Sequence, residues 1–245
     1  MTTAQVVAHR GSSDAHAENS WTAFEAAHAE GADAIECDVQ RTRDGVLVIR
    51  HDLAIIGNRL VAECVAAEVE AADSGLVHLA ELLAWAQRAG IGLLLELKDP
   101  ACAIAVGEMV AMSPWRERTI VAGFHGPVLA EIKARTSQIR TSLMMGTVVA
   151  PEDLVRLAVA YRADGVHPCW EHRSPHPHRL LDANAIGKLR QARLAITLWH
   201  EERESELRAL VALRPDAICT NTPAMLRRIV DGYPTATAEG LAAGC

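Results

Sequence analysis

The chain has 245 residues, half of them apolar, which fits one large domain with a sizeable core. Its formal net charge of −7 argues against a nucleic-acid partner, because that affinity comes largely from Lys and Arg on phosphates. The six cysteines form no CxxC pair and no compact framework, so they read as reduced thiols, and a cytoplasmic location is the default. The first residues lack a basic segment followed by a long apolar one, so no signal peptide is expected. The longest apolar runs are strand-sized, so no membrane insertion is expected either.

A β-rich run at residues 6–8 opens the chain and is followed by a helical stretch at 21–29. A second run at 34–39 and a hairpin-like return at 46–49 come next. Residues 53–77 are the least regular internal segment. Helical stretches at 79–89, 127–135, 151–160, 182–191 and 202–213 then alternate with runs at 91–97, 119–124, 141–145, 165–166, 194–198 and 217–219. Such alternation indicates βα units and a mainly parallel sheet. About eight units predict an α/β fold, a single (β/α)8 TIM barrel over residues 1–245, and no GxGxxG follows the first run to suggest a dinucleotide-binding sheet. Residues 53–77 then form a short insertion, a reduced cap beside the barrel mouth. Residues from about 232 to 245, rich in Gly, Ala and Thr, read as a frayed tail.

Polar residues collect where the runs end: His9-Arg10-Gly11, Glu36-Cys37-Asp38, His51-Asp52 and Glu96-Leu97-Lys98. Catalytic residues of such barrels sit at the C-terminal ends of strands. Side chains alternate across a strand, so Glu36 and Asp38 share a face, their Cα atoms roughly 6.5 Å apart. Cys37 points to the helix side. Carboxylates this close repel unless a cation or proton intervenes, and an all-oxygen set suits one hard divalent cation, Mg²⁺ or Ca²⁺.

Residues 6–52 resemble the N-terminal half of glycerophosphodiester phosphodiesterases. The pattern comprises His9-Arg10-Gly11, Glu18-Asn19-Ser20 before Ala23-Phe24, Gly31-Ala32-Asp33, Glu36-Cys37-Asp38-Val39, Thr42-Arg43-Asp44-Gly45 and His51-Asp52. Leu95-Glu96-Leu97-Lys98 continues it, and looser matches follow at Gly123-Phe124-His125, Trp199 and residues 216–223. The resemblance implies hydrolysis of a glycerophosphodiester to an alcohol and sn-glycerol 3-phosphate. It implies that Glu36, Asp38 and Glu96 hold the cation and that Arg10 and Lys98 contact the phosphate. It further implies that His9 and His51 form the acid–base pair, a task suited to a group titrating near neutrality. His9 is assigned as base and His51 as acid, and the reverse assignment is open at this level. Glu18 falls where the family's equivalents shape the site; Asn19 reads either as a site residue or as a helix N-cap.

The second half departs from the family pattern. Trp199 is followed by His200-Glu201, and Asn221 stands where an Asp is usual. His167, Trp170, Trp199 and His200 are therefore expected to line the mouth opposite the metal, with His167, Trp199 and His200 binding substrate. Residues 171–178, rich in His and Pro, read as an exposed loop rather than a metal site. The alternatives are cleavage of a different small phosphodiester, through a cyclic phosphate in one variant, a Schiff-base lyase using Lys98, and a non-catalytic binder of phosphorylated ligands. Glu96 argues against the lyase because a neighbouring carboxylate raises a lysine pKa.

Overall fold

A computed structural model describes residues 3–55, 58–170 and 173–233. In chain order its strands are β1 (Gln5–His9), β2 (Ala34–Arg41), β3 (Leu47–Ile49), β4 (Val77–His78), β5 (Gly92–Leu97), β6 (Thr119–Gly123), β7 (Arg140–Met145), β8 (Gly165–Pro168), β9 (Ala195–Leu198) and β10 (Ala217–Thr220). The ladders β1–β2, β2–β5, β5–β6, β6–β7, β7–β8, β8–β9, β9–β10 and β10–β1 are all parallel. These pairings close a barrel of eight strands among the described residues. Strands β3 and β4 continue antiparallel from the outer part of β2.

Period-two alternation decides the two faces. Val6, Ala8, Ile35, Cys37, Leu93, Leu95 and Val121 point outward and join the helices in the main core, so Cys37 packs as expected. Val7, Leu94, Ala122, Met144, Cys169, Ala217 and Cys219 fill the barrel interior. The helices are α1 (Trp21–Ala29), α2 (Ala66–Ala72), α3 (Leu79–Ala89), α4 (Ala103–Met112), α5 (Gly126–Arg135), α6 (Pro151–Ala160), α7 (Ala183–Gln191), α8 (Glu204–Ala212) and α9 (Pro223–Asp231). No helix among the described residues is long and apolar enough to cross a membrane.

Helices α2, α4 and α9 were not expected. The α4 segment, AIAVGEMVAM, is apolar nearly all round and so has no amphipathic stripe to reveal it. Helix α9 starts on Pro223 in its first turn, a position where a missing N–H costs nothing. The insertion is more ordered than its composition suggests: Val61, Cys64 and Val69 pack on Val48 of β3 as a small separate core. It flanks the mouth, since Asp73, Gly75 and Leu76 line a crevice shared with Glu18, Arg50 and His51. Most of the expected frayed tail, residues 234–245, lies outside the described residues.

Candidate active site

The HRG turn is set by sterics. Arg10 and Gly11 both take positive φ, 56° and 87°. A Cβ on Gly11 would stand 2.7 Å from Ala23 Cβ and 2.7 Å from its carbonyl carbon, so only glycine lets β1 turn under the start of α1. Arg10, a non-glycine residue in the left-handed region, carries strain of the kind that gathers at functional sites. That conformation sets its side chain over the carboxylates: Nε lies 3.0 Å from Asp38 Oδ2, and Nη1 donates to Glu18 Oε2 at 2.8 Å.

Glu36 and Asp38 share the inner face of β2, and Asp38 pairs in register with Glu96 on β5. All three are buried, with at most 1 % exposure. Glu36 Oε1, Asp38 Oδ1 and Glu96 Oε2 lack any hydrogen-bond partner, and ligand oxygens of the three lie within 4.8 Å of one another. Burial, then Asp38, pushes Glu36 well above the usual carboxylate range, and the same two causes raise Glu96. Buried carboxylates with orphaned oxygens and raised affinity for protons fit a divalent cation, whose charge would replace those protons.

Lys98 follows on the same face of β5, with Nζ 2.8 Å from Glu96 Oε1 and 3.6 Å from Asp38 Oδ1. Burial pulls its pKa down, but Glu96 and Asp38 outweigh burial and the net shift is upward. The ammonium therefore stays charged and suits an anion, not a Schiff base. Three ionised carboxylates against Arg10 and Lys98 leave one net negative charge, which a dication inverts to one positive. That is the complement of a phosphodiester's single negative charge.

His9 ends β1 and is 5 % exposed. Its Nδ1 meets Asn221 Oδ1 at 2.6 Å, and Nε2 stands 3.9 Å from Glu36 Oε2 with no hydrogen bond. Ser13 Oγ also approaches Asn221 Oδ1, at 2.9 Å. An amide oxygen facing Nδ1 requires the proton there and leaves the Nε2 lone pair free to accept one. Burial, then His200 and Arg10, lower His9 well below 6.5, so the ring is neutral at physiological pH.

His51 lies in the crevice beside Glu18 and Asn19, its side chain 35 % exposed. Its Nδ1 lies 3.0 Å from Asp52 Oδ1, and that hydrogen bond holds Asp52 below the usual carboxylate range. Buried Gln40 donates to the carbonyls of Arg50 at 2.7 Å and Asp52 at 2.9 Å, which fixes the segment bearing His51.

Of the four residues expected to line the mouth, Trp199 and His200 pack against His9. The His200 ring stacks on His9 with centroids 4.4 Å apart, and Trp199 meets His9 edge-on at 5.3 Å. Phe124, 45 % exposed, extends this wall at 6.3 Å from Trp199. His167 and Trp170 do not line the mouth. His167 is fully buried inside the barrel beneath Trp199, at 5.5 Å, with neither ring nitrogen hydrogen-bonded, and burial pushes its pKa down to about 3. Trp170 joins the outer core and donates to the Thr147 carbonyl.

Of the two sequence readings of Asn19 the geometry favours the site, and one further residue, Asn221, escapes the sequence. Asn19 takes φ 55° and donates Nδ2–H to Asp38 Oδ2 at 2.8 Å. Ser20, not Asn19, caps α1, by accepting from the Ala23 amide. In the sequence Asn221 stands out only as a departure from the family pattern, with no role. Family spacing was the available signal for both.

Residues 9–92 match the Glycerophosphoryl diester phosphodiesterase family. The chain is 26% identical over 241 residues to Bacillus subtilis YqiK, covering 89% of this chain and 95% of that one. It is 25% identical over 247 residues to a glycerophosphodiester phosphodiesterase of Caldanaerobacter subterraneus, covering 92% and 97%. The solved structure of an Oleispira antarctica phosphodiesterase in complex with the product sn-glycerol-3-phosphate superposes with a TM-score of 0.80 at 22% identity, covering 94% of this chain and 97% of that one. Fold and relatives together define a phosphoric diester hydrolase on a (β/α)8 barrel. By that match over residues 9–92 and by relatives along most of its length, the chain is similar to the glycerophosphoryl diester phosphodiesterases.

Proposed function

We propose that the protein is a divalent-cation-dependent glycerophosphodiester phosphodiesterase that releases an alcohol and sn-glycerol 3-phosphate. The observation that carries this reading is the buried Glu36–Asp38–Glu96 set with its orphaned oxygens, with His9 beside Glu36 and His51 in the crevice next to Glu18. Glu36, Asp38 and Glu96 would hold Mg²⁺ or Ca²⁺, which when bound supplies Lewis-acid stabilisation of phosphoryl charge. Arg10 presents a planar donor fork and Lys98 a point charge to the non-bridging oxygens. Glu18 holds the Arg10 fork in place.

The free Nε2 of neutral His9 takes a proton from the attacking water. Oxygen–phosphorus bond formation then breaks the bond to the alcohol oxygen, and His51 protonates that oxygen as it leaves. The exposure of His51 supports this polarity, because an alcohol leaving on the rim side departs directly to solvent. Trp199, His200 and Phe124 form a wall for the bound diester. The five described cysteines are buried thiols, which supports a reducing, cytoplasmic setting.

Turnover of glycerophosphocholine in ¹⁸O-water, followed by ³¹P NMR, tests the reading. One ¹⁸O in the phosphate of glycerol 3-phosphate is expected. A cyclic glycerophosphate as first product would replace water by the substrate hydroxyl as nucleophile, and no turnover with Mg²⁺ or Ca²⁺ present would overturn the proposal.

A further inference from the structure

A second cluster of metal-ligating side chains lies outside the catalytic residues. The loop after β8 and the first turn of α8 bring together His176, His178 and Glu206. Glu206 is 5 % exposed, yet it carries a carboxylate. Its Oε1 lies 3.0 Å from His176 Nδ1 and its Oε2 lies 2.6 Å from His178 Nδ1. Burial pushes this carboxyl up, but the His178 and His176 donors outweigh it, and the group stays ionised below the usual range.

We propose that His176, His178 and Glu206 form a second cation site for Zn²⁺ or a similar borderline divalent ion, which staples the β8–α7 loop to helix α8. Two imidazole nitrogens with one carboxylate oxygen are the donor set such ions select, unlike the all-oxygen set at the barrel mouth. Candidate ligand atoms of the three residues lie within 4.8 Å of one another. Tetrahedral zinc with bonds of about 2.1 Å holds its ligands about 3.4 Å apart. The present separations of 3.0 and 2.6 Å therefore need only small outward shifts once the Nδ1 protons are released.

The ligands are also preset. Pro177 stiffens the backbone between the two histidines. Arg203 donates to the Pro175 carbonyl at 2.7 Å and pairs with Glu201 at 2.6 Å, which ties the loop to the segment entering α8. His176, half exposed, leaves an approach for the ion and for a water as fourth ligand. Without a metal, the same residues make a plain hydrogen-bonded clamp in which each imidazole donates to Glu206.

The two readings separate spectroscopically. Untagged full-length protein, stripped with EDTA and then given excess Mg²⁺, is titrated with Co²⁺. One equivalent with intense visible bands, the mark of four- or five-coordinate cobalt with nitrogen ligands, is expected, and one equivalent of Zn²⁺ should bleach it. The bands should vanish in His178→Ala and in Glu206→Gln, while far-UV circular dichroism shows both variants folded. His178→Ala changes only the loop, so the test survives if Glu206→Gln fails to fold. Absence of intense bands in the wild type, or their persistence in His178→Ala, overturns the proposal. Either result is independent of whether the carboxylates at the mouth bind an ion, because an octahedral oxygen site gives only weak bands.

Discussion

His9 and Asn221 meet across the seam where β10 closes the barrel on β1, with Nδ1 2.6 Å from Oδ1. This contact orients the imidazole of a deeply buried base and selects its tautomer. A neutral amide does so without adding charge, while burial, then His200 and Arg10, keep His9 well below 6.5. Asn221→Asp would place a carboxylate against the ring and raise that pKa. Since the base must be deprotonated to act, the acid limb of kcat/KM should move to higher pH, while Asn221→Leu should lower kcat with no such shift. A pH–rate profile for each variant checks this.

The division of labour between the histidines predicts a leaving-group signature. His51→Ala should lose on the order of 10²–10⁴ in kcat with alkyl diesters but far less with a p-nitrophenyl diester, whose leaving group needs no proton. His9→Ala should lose a similar large factor with both. Equal losses for His51→Ala on the two substrates would remove it as the acid.

Gly11→Ala tests the turn beneath the site. The added Cβ would overlap Ala23 at 2.7 Å on a backbone with φ 87°. A destabilisation of roughly 2–4 kcal/mol is expected by urea unfolding.

His167 makes a stability prediction whose sign follows from its lowered pKa of about 3 against 6.5 unfolded. The folded state holds the ring neutral, so its contribution is complete above 6.5 and is lost as pH falls from there toward about 3. The slope is about 1.4 kcal/mol per pH unit for one proton. His167→Leu also removes two unpartnered buried nitrogens. The variant should match or exceed the wild type at neutral pH and lose less stability between about pH 6 and pH 4, as read by urea midpoints.

The carboxylate set was legible because alternation is local. Glu36 and Asp38 must share a face, and the motif at Glu96–Lys98 repeats the spacing on the strand that becomes their neighbour. Depth in the barrel was not legible. Position 167 alternates inward just as Trp199 does, but alternation gives a face and says nothing of height along the axis, so His167 lies buried under Trp199. Asn221 escaped because its partner is 212 residues away and only barrel closure brings them together. Asn19 stays open between site residue and cap in the sequence because its role depends on a positive φ that a helix-cap pattern does not specify. The His176–His178 stretch was read as plain loop, since Glu206 approaches it only through the packing of α8.

The most direct measurement is release of glycerol 3-phosphate from glycerophosphocholine, glycerophosphoethanolamine and glycerophosphoinositol by EDTA-stripped protein, before and after addition of Mg²⁺ or Ca²⁺. No release is expected after stripping, with recovery on adding one of the two ions and no recovery in Glu36→Gln. Undiminished release in EDTA, or full recovery in Glu36→Gln, would contradict a reaction that depends on a cation held by Glu36, Asp38 and Glu96.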